Sequence, residues 1–137
     1  MKKILFLSTL IFSFHTFAHL GETNRFKQMT ANQAESGIYS TVLIEQNAIS
    51  ITEYLDNSGQ IFAVTWKGIT HPDLSKILGS YFDQYQIIKD KEHRKMAQYR
   101  VRSEDLVIEK SGKMRNVSGK AYVVSLLPKG FNLNDLQ

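Results

Sequence analysis

The stretch "FAVTWKGITHPDLSKILGSYFDQY" (residues 62–85) decides the fold, because the spacing of its apolar residues changes partway along. As far as Trp66 almost every position is apolar, which is typical of a strand covered on both faces. From Leu74 onward apolar residues recur at helical spacing and form a stripe that continues to Ile88. The stretch therefore predicts a buried strand, a corner and one long amphipathic helix, with Phe62, Val64 and Trp66 on one face of the strand.

The corner carries signals for the start of a helix. Thr70 is the predicted N-cap, Pro72 suits an early helical position, and Asp73 suits the positive end of the helix dipole. Gly79 interrupts the helix at a cost of about 0.5–1 kcal/mol relative to alanine, so we expect another element to pack closely there.

Segments rich in β-branched and aromatic residues lie on both sides of this stretch. "IYSTVLIEQ" (38–46) and "AISITEYLD" (48–56) precede it, with a turn expected at Asn57-Ser58-Gly59. "QYRVRS", "DLVIEK", "KMRNVS" and "KAYVVSLL" follow it, with a turn expected at Ser111-Gly112. The order of strands, helix and strands predicts an α+β domain, in which an antiparallel sheet of about five to seven strands carries the helix on one face.

The chain begins like an exported protein. Two lysines, an apolar run and small residues at Thr16 and Ala18 form the pattern of a cleavable signal peptide, and the run is short for a membrane span. We therefore expect residues 1–18 to be removed and the protein to reach the periplasm or the medium. The expected organisation is a poorly ordered lead-in at 19–37, one domain at 38–131 and a tail at 132–137 that docks through Phe131 and Leu133.

Composition excludes several classes of protein. There is no cysteine, which removes thiol catalysis, thiolate metal sites and disulfides. Removal of Lys2 and Lys3 with the signal peptide leaves 15 basic against 13 acidic residues, so the charge predicts no nucleic-acid partner. No common catalytic or nucleotide-binding motif is present, and we expect no enzyme activity and no cofactor.

Three groups of residues are candidates for binding. The first group, a candidate ligand site, consists of Trp66, His71 and Tyr81, although their spacing fits a core equally well. Within the corner, His71 and Asp73 could form an acid–base pair or simply cap the helix. The basic residues Lys110, Lys113, Arg115 and Lys120 could bind an anionic polysaccharide or lipid headgroups, or form an ordinary solvated sheet face. Lys113 and Arg115 are two apart, so a strand would place them on one face.

A copper site is a remote alternative. Cleavage after Ala18 would leave His19 at the N-terminus, where its amine and imidazole could join His71 or His93 as nitrogen ligands. The alternative is that position 19 is simply a mobile chain end.

With these segments in place, the chain resembles the bacterial exported family known as domain of unknown function (DUF) 2844. The likeness rests on "HLG" after the signal peptide, on "TEYLDNSGQIFAVTWKGITHPDLSKILGSYFDQY" and on "DLVIEKSGKMRNVSGKAYVVSLLPKG". The family begins with alanine–leucine–glycine, and His19 replaces that alanine here, which argues against copper binding as a family function. The resemblance implies a small envelope protein and carries over no catalytic residue.

The sequence thus predicts a non-catalytic module that binds another envelope protein or an anionic envelope component. A small apolar ligand held in a pocket between helix and sheet is the main alternative.

Overall fold

The computed structural model describes residues 19–23, 32–33, 37–91 and 98–137. Within these residues seven strands and two α-helices follow one another. They are β1 Asn32–Gln33, β2 Tyr39–Gln46, β3 Ile49–Asp56, β4 Ile61–Gly68, α1 Leu74–Leu78, α2 Phe82–Lys91, β5 Gln98–Arg102, β6 Leu106–Lys113 and β7 Asn116–Val123. The strands form one antiparallel sheet in the order β1-β2-β3-β4-β7-β6-β5. The predicted α+β class and strand number are confirmed.

Strand β4 lies at the centre of the sheet and is buried on both faces, as its sequence predicts. Val64 and Trp66 face the helices, whereas Phe62 and Ala63 face the C-terminal segment. A β-bulge opposite Tyr54 and Leu55 inserts Phe62 as an extra residue, so the prediction that Phe62 shares a face with Val64 is wrong. We call the two sides of the sheet the helix face and the tail face.

The helical stretch begins later than predicted. Asp73 is the N-cap, and its carboxylate accepts a hydrogen bond from the Ser75 backbone N–H at 3.0 Å. Thr70 and Pro72 therefore lie before the helix, which corrects both assignments. A carboxylate in extended backbone satisfies the free amides of the first turn, and this explains why Asp73 takes the position.

The predicted long helix is interrupted at Gly79. A 3₁₀ turn at Gly79–Tyr81 joins α1 to α2, and Gly79 has a φ of 51°, where a side chain would be strained. A Cβ there would lie 3.5 Å from His19 Cδ2, so the predicted close neighbour is the segment before the sheet. The apolar stripe continues through the turn, since Ile77, Leu78 and Tyr85 all pack on the helix face.

Residues 19–23 of the expected lead-in are built into the domain. Leu20 is fully buried and donates its backbone N–H to the carbonyl of Ile77, while Gly21 donates to Ile61. Burial of one leucine side chain stabilises a domain by about 1.5–3 kcal/mol. The predicted signal peptide at 1–18 lies outside the described residues. Among the described helices none is long and apolar enough to cross a membrane.

The C-terminal segment covers half of the tail face. Phe131 packs edge-on against Tyr39 and Phe62, and Leu136 is buried beside them. Leu133 is exposed, so the tail docks through Phe131 and Leu136 instead of Phe131 and Leu133. Leu133 starts a 3₁₀ turn whose end points Leu136 inward, a geometry that apolar spacing alone does not reveal.

The hairpin between β6 and β7 is longer than predicted. Ser111 and Gly112 lie within β6, and the chain reverses at Met114 and Arg115. A Cβ on Gly112 would lie 2.6 Å from the Asn116 carbonyl oxygen, so this glycine serves a close approach of two strands and does not form a turn.

Candidate functional site

Polar side chains form two rows across the open half of the tail face. Strand register places Thr65 on β4 opposite Lys120 on β7, Lys120 opposite Glu109 on β6, and Glu109 opposite Arg100 on β5. Residues paired in this way project from the same side of a sheet. The Thr65 row (Thr65, Lys120, Glu109, Arg100) therefore crosses four neighbouring strands.

A second row lies one side-chain repeat along the same strands. Lys67 is opposite Ser118, and Ser118 is opposite Ser111. Lys67 is exposed and both serines are half-buried. We call this the Lys67 row (Lys67, Ser118, Ser111). Its members are two residues along each strand from those of the Thr65 row, so all seven side chains belong to one face.

The two rows form the floor of a groove with a volume of about 540 Å³. Leu136 and Gln137 border it on the side where the C-terminal segment ends. Thr65, only 3 % exposed, donates its hydroxyl to the Gln137 carbonyl oxygen at 2.7 Å. The tail is thereby fixed as a wall, and the Lys67 row stays open to solvent. We call this feature the polar groove.

Charges in the polar groove are arranged around Glu109. Its carboxylate lies 3.1 Å from Arg100 Nε and 3.5 Å from Lys120 Nζ. Lys67 and Lys110 also line the groove, although the Lys110 ammonium lies on the helix face. Glu109 is the one acidic side chain against three basic side chains on this face, so the floor has an excess of positive side-chain charge, and each ion pair is exposed enough to exchange partners at modest cost.

The residues predicted as a ligand site are engaged within the fold, and two of them are in direct contact. Trp66 is 2 % exposed, and its indole packs on the helix face over Gly119, where an added Cβ would overlap the ring. Its Nε1 donates to His71 Nδ1 at 3.0 Å. Tyr81 packs against the helix-face core and beside Gly21, and burial raises its pKa. Of the three, Trp66 alone borders the polar groove.

His71 and Asp73 each have a separate hydrogen-bond partner at the corner. Asp73 Oδ1 accepts from both the backbone and the hydroxyl of Ser75, and these hydrogen bonds hold its pKa below the ordinary value. Burial, and then the Lys110 ammonium, lower the pKa of His71. A carboxylate used as a cap and an imidazole that accepts from Trp66 are structural partners of the corner.

The four basic residues predicted as an anionic-surface site lie in three places. Lys120 belongs to the polar groove. Lys110 lies on the helix face, where its ammonium donates to the Tyr85 hydroxyl at 2.9 Å and lies 5.3 Å from the Tyr99 ring centre. Lys113 ends β6 and Arg115 lies in the following turn, so the prediction that one strand presents both is wrong.

The histidines provide no described metal site. His19 Nδ1 lies 3.2 Å from Glu22 Oε2, and its side chain packs near Gly79. No group of three potential metal ligands occurs among the described residues, and His93 lies outside them. Copper binding through His19 stays an untested prediction.

Sequence reasoning missed most of the groove. The sequence does not mark Thr65, Lys67, Glu109 or Ser118 as a site, because each looks like an ordinary polar strand position, and Ser111 is predicted as part of a turn. The alignment of four strands into rows requires the register, which the sequence does not state.

A family model described as "Protein of unknown function (DUF2844)" matches residues 16–136. No curated protein and no solved structure gives a significant match to the chain.

Proposed function

The chain belongs to the DUF2844 family, whose function is unknown, and from the polar groove we propose that it is an exported, non-catalytic module that binds an acidic polysaccharide of the cell envelope. The single observation that carries this proposal is the pair of polar rows, which combine three cations with a line of hydroxyls on an open sheet face.

The composition of the groove fits a ligand rich in both hydroxyls and carboxylates. Hydroxyls of Ser111 and Ser118 can both donate and accept hydrogen bonds, as sugar hydroxyls require, whereas the Thr65 hydroxyl is already committed to Gln137. Lys67 and Arg100 supply cations for acidic substituents, and Arg100 can pair with a carboxylate through two parallel hydrogen bonds. Glu109 holds the cations in place and accepts from sugar hydroxyls.

The dimensions favour a chain segment over a small metabolite. Neighbouring strands lie about 4.8 Å apart, so a row across four strands spans about 14 Å. The groove is open along the Lys67 row, so a polymer can enter and leave it without threading. Its volume lies within the range of sites that bind small molecules or short segments of polymers.

Export is supported by the signal-peptide pattern of residues 1–18, and we place the protein in the periplasm or outside the cell. Mass spectrometry of the protein recovered from the producing cell tests this directly. We expect the mass of a mature chain that begins near His19. A chain with an intact N-terminus in the cytoplasmic fraction would refute export.

Affinity electrophoresis tests the binding proposal. Native gels containing alginate, a linear polyuronate, should retard the wild-type protein, whereas gels containing neutral dextran should not. Lys67→Ala and Lys120→Ala should each reduce the retardation, and added salt should weaken it because the groove is open to solvent.

Lys129→Ala is the matched control, since Lys129 is an exposed cation outside the groove. It removes the same charge and should leave the retardation nearly unchanged. Equal losses in Lys67→Ala and Lys129→Ala would show that net charge alone is responsible, and the groove would then have no specific role.

A further inference from the structure

One end of the sheet exposes apolar and basic side chains together. Met114, in the turn between β6 and β7, is 97 % exposed, and Ile69, just after β4, is 54 % exposed. Lys113 and Arg115 flank Met114 and are also exposed. We call these four residues the hairpin end.

Strand register brings the four residues to the same place. Gly68 at the end of β4 is opposite Val117 on β7, and Lys113 is opposite Asn116. Ile69 and the turn at Met114 therefore both extend beyond the same edge of two neighbouring strands. The turn is held by the ladder behind it and by Arg115, whose φ of 60° completes the tight reversal.

The four residues of the hairpin end carry only positive charge. Neither the segment 65–70 nor the segment 110–120 contains an aspartate or a glutamate, and of their five basic residues Lys113 and Arg115 belong to the hairpin end. Glu109 is the nearest acidic residue by register, but it lies four residues before Lys113 on β6 and is paired with Lys120 and Arg100. An anionic partner would therefore meet cations with little repulsion.

Met114 and its two cations are arranged as in segments that bind membrane surfaces. Such segments bury apolar side chains at the boundary between headgroups and acyl chains, while adjacent lysine or arginine residues contact anionic lipid headgroups. One exposed apolar residue would be ordinary, but Met114 and Ile69 lie at the same end of the sheet with two cations beside them.

We propose that the hairpin end docks on a membrane surface that contains anionic phospholipid, with Met114 and Ile69 at the acyl boundary and Lys113 and Arg115 on the headgroup phosphates. The polar groove and the hairpin end are separate surfaces, and this docking does not depend on polysaccharide binding. Docking would hold the groove close to the membrane while leaving the Lys67 row open.

Vesicle co-sedimentation tests the docking. Wild-type protein should sediment with vesicles of phosphatidylglycerol and phosphatidylcholine, and much less with phosphatidylcholine alone. Met114→Ser should lower the partition coefficient by about tenfold, as expected for loss of one large apolar contact. Lys113→Gln and Arg115→Gln should each lower it by about fivefold. All forms compared carry the same N-terminus, so any contribution from residues 1–18 cancels.

Two controls separate this proposal from the others. Lys129→Gln should bind vesicles like the wild type, and unchanged Trp66 emission in every variant verifies folding. Lys67→Ala should lose alginate retardation more than vesicle binding, so the two proposals can fail independently. Equal sedimentation with neutral and anionic vesicles, or unchanged sedimentation of Met114→Ser, would overturn the docking proposal.

Discussion

Replacement of Gly119 by alanine tests how β7 packs against the centre of the sheet. Gly119 is opposite Trp66 in the β4–β7 ladder, and a Cβ at this position would overlap Cζ2 and Cε2 of the indole. It would also lie 2.8 Å from the carbonyl oxygen of Glu109. The ring is buried and the carbonyl belongs to a strand, so neither neighbour can move away cheaply.

The expected loss of stability has two sources. Overpacking of a dense core costs about 1–3 kcal/mol. Displacement of the indole also weakens the hydrogen bond from Trp66 Nε1 to His71, which is worth about 0.5–1.5 kcal/mol. Gly119→Ala should therefore lower the free energy of unfolding by about 1.5–4.5 kcal/mol.

Urea denaturation followed by fluorescence measures this effect, because Trp66 is the only tryptophan. Ser118→Ala is the control, since Ser118 neighbours Gly119 on the opposite face and should change stability little. If Gly119→Ala does not fold, the double variant Gly119→Ala/Trp66→Phe supplies the test, with unfolding followed by circular dichroism. The smaller ring should restore most of the stability. A loss no greater than that of Ser118→Ala, or no rescue by Trp66→Phe, would refute the packing argument.

Three further predictions concern titration and the tail. In the folded protein the pKa of His71 is lowered below 6.5, so on acidification the unfolded state takes up the proton at a higher pH than the folded state. The stability contribution should therefore be full above pH 6.5 and fall as the pH drops below it. His71→Asn should remove this part of the pH dependence, measured by urea denaturation. In the folded protein the pKa of Asp73 is lowered from 3.8, so the stabilisation by its carboxylate should be present above that pH and lost in acid. Asp73→Asn should keep the cap and reduce the sensitivity of stability to acid. An unchanged acid transition would contradict the capping role. Thr65→Val should cost about 1 kcal/mol by removing the hydrogen bond to the Gln137 main-chain oxygen, and it should speed amide exchange at Leu136 and Gln137. Unchanged exchange would show that the hydroxyl does not hold the tail.

Local patterns were sufficient to predict the fold class. Three patterns reflect the burial of single elements: the apolar residues on both faces of β4, the helical stripe from Leu74 and the β-branched segments. Each pattern can be recognised from the residues of that element alone. The apolar periodicity does not reveal the helix break at Gly79, because a short 3₁₀ turn leaves the later apolar residues on the same side of the helical stretch. The bulge at Phe62 escaped it for a related reason, since a strand buried on both faces has no polar face to reveal a slip.

The candidate site was less predictable, because it depends on pairing between distant segments. Lys120 was noticed as one of a run of basic residues, but its neighbours in space are Thr65 and Glu109, which register alone brings together. Lys110 and Lys120 are close in sequence and lie on opposite faces. A cluster of like charges in sequence is thus a poor guide to a surface when it runs through two antiparallel strands and a turn.

The strand order has a consequence for the way the protein folds. Strands β2, β3 and β4 form one three-stranded meander, and β5, β6 and β7 form another, each made of contacts between neighbours in sequence. The β4–β7 ladder joins them, from Ala63 opposite Tyr122 to Gly68 opposite Val117. Closure of so long a loop is slow compared with hairpin formation. Pairing at the seam of Trp66 and Gly119 should therefore belong to the rate-limiting step, so a substitution there should slow folding as well as weaken the native state.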